Sequence, residues 1–166
     1  MPARNNLRGA IPIDWATTVR PPSLRRFARD DCRSPDPQRA VQGPILIVED
    51  DFLVALQIEA ALSDAGYAVA GNTASADEAF RLVEAVRPAL ALMDIRLAGR
   101  MDGVDAALNL FRDHGIRCIF ATAHHDLETR QRAAPAQPLG WLQKPYTVDA
   151  VVSTVRQAIA ALDASC

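Results

Sequence analysis

Residues 45–51 read Ile45-Leu46-Ile47-Val48-Glu49-Asp50-Asp51, four aliphatic side chains in a row followed at once by three carboxylates. An unbroken apolar run of this length fits a strand covered on both faces, as in a parallel sheet, better than one with a wet side. The same pattern recurs downstream as YAVAG (67–71), ALALM (89–93), RCIFAT (117–122) and LGWLQ (139–143). Between these runs lie segments of helical period, over about 52–64, 75–87, 103–113, 126–134 (a short one) and 147–162. The first helix is expected to bury Val54, Ile58, Ala61 and Leu62, and the last Val151, Val155, Ile159 and Leu162. Gly66 and Gly115 stand where helices should stop, Thr147 where the last should be capped, and Pro135 shortens the fourth. Five strand and helix pairs predict an α/β fold: a doubly wound, five-stranded parallel sheet with right-handed crossovers and helices on both faces.

The rest of the composition narrows the setting. Residues 1–43 hold six prolines, with eight arginines against four aspartates and no sustained hydrophobic period, so a disordered Pro/Arg-rich extension is expected there, with the domain at 44–166. Residues 44–166 carry ten basic against sixteen acidic side chains, which argues against direct binding of nucleic acid. No apolar run approaches the ~18 to 20 residues of a membrane span, and the N-terminus lacks a secretory signal, so no membrane contact and a cytoplasmic location are expected. Three cysteines, Cys32, Cys118 and Cys166, form no metal-type spacing; Cys118 reads as a buried strand residue and the others as tail residues.

Doubly wound sheets bind ligands beyond the carboxyl ends of their strands. At those ends stand Glu49-Asp50-Asp51, then Asp94, then Thr122, then Lys144-Pro145. Two carboxylates ~5 Å apart repel by roughly 3 kcal/mol at an effective dielectric near 20. A hard divalent cation relieves that repulsion, and Mg²⁺ prefers one or two carboxylates plus water and phosphate oxygens to a full protein cage. Lys144 is the single lysine among 18 basic side chains. A bias against lysine explains this equally well, but a narrow pocket with room for one compact ammonium also selects lysine over the broad arginine fork.

ILIVEDD, LMDIRL, FATA and LQKPY, in this order, resemble the four signatures of the receiver domain of two-component response regulators, over about residues 44–166. The resemblance implies a flavodoxin-like strand order, 2-1-3-4-5. It implies Asp94 as phospho-acceptor, and a Mg²⁺ site made by Asp50, Asp94, the main-chain carbonyl of Arg96 and, through water, Glu49. Thr122 would be the switch hydroxyl, Lys144 the phosphoryl contact, and Pro145 the partner in a cis bond. Trp141 occupies the position of the aromatic that turns inward on activation, and is equally a half-buried strand residue. Arg96 and His124 would tune phosphoryl lifetime. Asp51 reads as a helix N-cap rather than a ligand. The loop RLAGRMDG (96–103) is one residue longer than the usual form and lacks its proline. The pair His124-His125 has no third ligand spaced nearby and is not read as a metal site.

The expected function is a stand-alone switch that takes a phosphoryl group from a phosphohistidine on a sensor histidine kinase or a histidine phosphotransfer protein, and catalyses only its own phosphorylation and dephosphorylation. Output would pass to a protein effector through the fourth helix, fifth strand and last helix, with a homodimer left open. Since the chain adds no helix-turn-helix, DNA binding within it is not expected. Two rivals differ in class. A degenerate receiver acting as a fixed interaction module would not need Asp94, Thr122 and Lys144. A Mg²⁺-dependent aspartyl phosphohydrolase would need an Asp-x-Asp pattern that Asp94-Ile95-Arg96 does not supply.

Overall fold

The computed structural model describes residues 43–123 and 127–164. Of the extension at 1–43 only Gly43 falls within them; Cys32, Cys166, His124 and His125 lie outside the described residues. Strands β1 (Ile45–Val48), β2 (Val69–Thr73), β3 (Leu90–Asp94), β4 (Arg117–Thr122) and β5 (Gly140–Gln143) alternate with helices α1 (Phe52–Asp64), α2 (Ala76–Ala85), α3 (Gly103–His114), α4 (Leu127–Ala133) and α5 (Val148–Ala164). A short 3-10 turn, Ala134–Ala136, carries Pro135 and ends α4, as the proline predicts. All pairings are parallel, in the order β2-β1-β3-β4-β5.

The sheet is buried on both faces because its strands alternate side chains between two cores. Leu46, Val48, Ala91, Met93, Cys118 and Phe120 pack with α2 and α3. Ile45, Ile47, Leu90, Leu92, Ile119 and Ala121 pack with α1 and α5. The Cys118 thiol is wholly buried, and desolvation pushes its pKa up to about 12, so it is inert filling.

Helix starts are fixed by side-chain caps. Asp51 Oδ1 accepts from the N–H groups of Leu53 and Val54 at 2.9 and 3.2 Å, Ser75 caps α2, Asp102 caps α3, and Thr147 Oγ1 accepts from Ala150 N–H at 3.2 Å. Gly115 ends α3 at φ 71, a left-handed conformation that costs glycine least.

Three expectations need correction. The second strand is Val69–Thr73 rather than 67–71: pairing of Ile45 with Val69 sets its start, and its polar end, Asn72-Thr73, follows β1 to Val48. In α1 it is Ala55, not Val54, that is fully buried with Ile58, Ala61 and Leu62, because the small side chain lets the helix lie close to the sheet. In α5, Ala158 is buried with Val151 and Val155, whereas Ile159 and Leu162 only border the core. Among the described residues no helix is long and apolar enough to cross a membrane.

Candidate functional site

Parallel register brings the polar strand ends together. Val48 is level with Met93, so the next residues, Glu49 and Asp94, emerge side by side; Asp94 is level with Ala121, and Thr122 with Gln143, which leaves Lys144 as the next step. Backbone bonds continue the ladder past the strands: Ile95 N–H donates to Ala121 O at 3.2 Å and Lys144 N–H to Thr122 O at 2.8 Å. The Lys144–Pro145 peptide is cis, as the resemblance implies.

Glu49, Asp94 and Thr122 are buried, whereas Asp50 and Asp51 are exposed. Lys144 reaches in from the rim with its side chain 26% exposed, and its Nζ donates to Glu49 Oε2 and to Asp94 Oδ2, each at 2.7 Å. The other oxygen of Asp94 accepts from Arg96 N–H at 3.2 Å. Burial pushes the Glu49 carboxyl above its ordinary value, the Lys144 contact pulls it back, and the nearby Asp94 charge raises it again. For Lys144, burial works against the charged form, but the hydrogen bonds to Asp94 and Glu49 outweigh it and hold the ammonium above its usual range. One ammonium thus offsets part of the repulsion between two buried carboxylates.

Glu49, Asp50 and Asp94 each offer a carboxylate oxygen, and these atoms lie within 4.8 Å of one another. An all-oxygen donor set with one exposed member suits a hard divalent cation that keeps some of its water. Asp51, by contrast, is committed to its helix cap. Trp141 is half-buried, its ring centroid 4.9 Å from that of Phe120, with the Arg130 guanidinium 5.0 Å above it. His124 lies outside the described residues.

Two neighbours of the site were not apparent from sequence. Gly103 fits against the main chain of Asp94, where a Cβ would lie 1.9 Å from the Asp94 carbonyl oxygen. Only its place at a helix start hinted at this. Tyr146 has a buried hydroxyl without a hydrogen-bond partner among the described residues, and nothing in KPYT signals that.

Residues 45–156 match the family model described as response regulator receiver domain. The transcriptional regulatory protein PdtaR of Mycobacterium tuberculosis is 28% identical over 75% of this chain and 60% of its own length. The phyllosphere-induced regulator PhyR of Methylorubrum extorquens is 36% identical over 66% of this chain and 42% of its own. The chain therefore spans about half the length of these curated relatives. Among solved structures, the signal receiver domain of a modulated diguanylate cyclase from Desulfovibrio desulfuricans superposes with a TM-score of 0.68 at 36% identity, over 75% of this chain and 98% of that one.

Proposed function

Because the chain belongs to the response regulator receiver family, we propose that it is a phospho-accepting switch that takes a phosphoryl group from phosphohistidine onto Asp94. The observation that carries this reading is the buried Asp94 carboxylate, level with Glu49 and held from the side by the Lys144 ammonium. Buried carboxylates with no purpose beyond packing are rare, and the chain's single lysine donates a hydrogen bond to each of these two.

In the proposed step an oxygen of Asp94 forms a bond to phosphorus as the bond from phosphorus to the imidazole nitrogen breaks, and the electron pair leaves with the imidazole. The chain contributes positioning and charge rather than covalent chemistry. Asp50, Asp94, the Arg96 main-chain carbonyl and Glu49 would hold Mg²⁺, which when bound supplies positive charge to the phosphoryl oxygens. Lys144 transfers its contact from the carboxylate to a phosphoryl oxygen, and Thr122, at the next strand end, hydrogen-bonds another. Trp141 responds to the Thr122 movement, and Arg96 and His124 tune access of water. Hydrolysis returns Asp94 to the carboxylate, and the protein turns over no other substrate.

The surroundings favour a protein donor over a small phosphate ester. Phe52, Leu53 and Leu56, on the helix directly after the acidic turn, are 67%, 74% and 42% exposed and form an apolar rim. A sensor histidine kinase or a histidine phosphotransfer protein would bury that rim on docking, and a cytoplasmic setting follows from such a donor. Output goes to a protein effector through α4, β5 and α5. The test is to incubate the protein with phosphoramidate, whose P–N bond imitates phosphohistidine, with and without Mg²⁺. We expect a hydroxylamine-sensitive gain of one phosphoryl mass only with the metal; no gain with either would overturn the reading.

A further inference from the structure

The first turn of α3 touches the acceptor and, from its other side, α4. Gly103 donates its N–H to Ile95 O at 2.9 Å and lies so close to Asp94 that a Cβ would also come within 2.8 Å of the Asp94 carbonyl carbon and 2.9 Å of Ile95 Cα. Asp102, the preceding residue, uses Oδ1 to cap α3 by accepting from Asp105 N–H at 2.9 Å. Its Oδ2 accepts from Arg132 Nη2 of α4 at 2.8 Å, and the same nitrogen reaches Asp105 Oδ1 at 3.2 Å. Partial burial acts to raise the Asp102 carboxyl, but the cap bond from Asp105 N–H and then the contact with Arg132 outweigh it and hold the group below its ordinary range.

An exposed ion pair is ordinarily worth little, because two long side chains lose freedom to form it. Here the carboxylate is already immobilised by its cap, so the ordering cost falls on Arg132 alone, and a second carboxylate shares the same nitrogen. The value of the pair is positional. Any shift of the main chain at Asp94–Ile95 is passed to Gly103 without slack, hence to Asp102, and Arg132 must follow or let go. On the other side of α4, Arg130 stacks on Trp141 of β5.

Resting on the receiver reading, we propose that Arg132, through Asp102 and Asp105, is a positioning residue that couples the phosphorylation state of Asp94 to the pose of α4. This route runs through α3 and is separate from the one through Thr122 and Trp141. It makes α4 responsive from both flanks, one arginine facing each.

The test uses the full chain with Asp102→Asn, Arg132→Gln and the double variant, since asparagine keeps the cap and removes only the charge. Two quantities are read: the phosphoryl adduct gained from acetyl phosphate with Mg²⁺, and the amide shift changes of Leu127–Ala133 on adding Mg²⁺ and beryllofluoride. We expect adduct formation within about twofold of wild type, α4 shift changes cut to about half or less in each single variant, and no further loss in the double, as for groups that act as a unit. Full wild-type α4 shifts in both single variants, alongside a normal adduct, would overturn the coupling and leave the phospho-acceptor reading intact. Absence of the adduct from the wild type overturns both.

Discussion

Lys144 Nζ lies 2.7 Å from Oδ2 of Asp94, although 50 positions separate the two residues in the chain. The same nitrogen reaches Glu49, so one compact ammonium serves two carboxylates in a space bounded by four strand ends. An arginine fork is planar and broad, and favours bidentate contact with a single carboxylate over bridging two. Lys144→Arg is expected to fold and to accept the phosphoryl group, but to show less than about half the wild-type amide shift changes over Leu127–Gln143 on activation. Full wild-type shifts would mean that lysine stands here by chance.

Gly103→Ala is expected to lower stability by about 3 kcal/mol in urea unfolding and to abolish the adduct. The contact is backbone against backbone, 1.9 Å from the new Cβ to the Asp94 carbonyl oxygen, so no side chain can swing aside to relieve it. A variant as stable and as readily phosphorylated as the wild type would show that α3 can slide away from the acceptor.

Asp51 separates structural from chemical roles within one acidic turn. Asp51→Ala removes the α1 cap and is expected to cost about 1 kcal/mol, while Asp51→Asn keeps the cap and most of the stability. Neither should change Mg²⁺ affinity more than about twofold, whereas Asp50→Ala should weaken it at least tenfold or so. Titration of the metal against the three variants checks the distinction; equal losses at Asp50 and Asp51 would assign both to the ion.

Burial pushes the Tyr146 phenol up from its ordinary 10.0 to about 12, with Lys144 lowering it and the carboxylates raising it to a lesser degree. Between those values the folded protein keeps a proton that the unfolded chain has released, so this group's contribution is fully present below 10.0 and is lost as pH rises towards 12. Tyr146→Phe removes that dependence and also the buried unpaired hydroxyl, which should stabilise the fold by about 1 kcal/mol at neutral pH. Denaturant midpoints of the two proteins across the alkaline range test both effects; parallel curves would place the hydroxyl in contact with water.

The central strands and the convergence of the site were legible because they rest on local signals. RCIFAT is a strand over the same six residues that its apolar run suggests, and Glu49, Asp94, Thr122 and Lys144 follow strands whose parallel register forces their ends together. At the edge this logic weakens. β2 pairs on one side only, three of its five residues are half-buried and one is exposed, so neither Tyr67 nor Asn72 announces on which side of the boundary it lies. In α1 the neighbours Val54 and Ala55 lie at the edge of the same apolar stripe, and helical period alone does not separate the buried Ala55 from the half-buried Val54. The ion pairs of Lys144 and Arg132 join positions 27 to 95 residues apart, and no spacing within one element encodes such a contact.

The claim that Asp94 is the acceptor has a direct chemical test. Phosphorylate the protein with phosphoramidate and Mg²⁺, reduce with borohydride, which converts only an acyl phosphate to the alcohol, and map the altered residue by peptide mass. The account predicts conversion of the Asp94 side chain alone, with none in Asp94→Asn. Conversion at Asp50 or another carboxylate, or at none while phosphate is turned over, would contradict it.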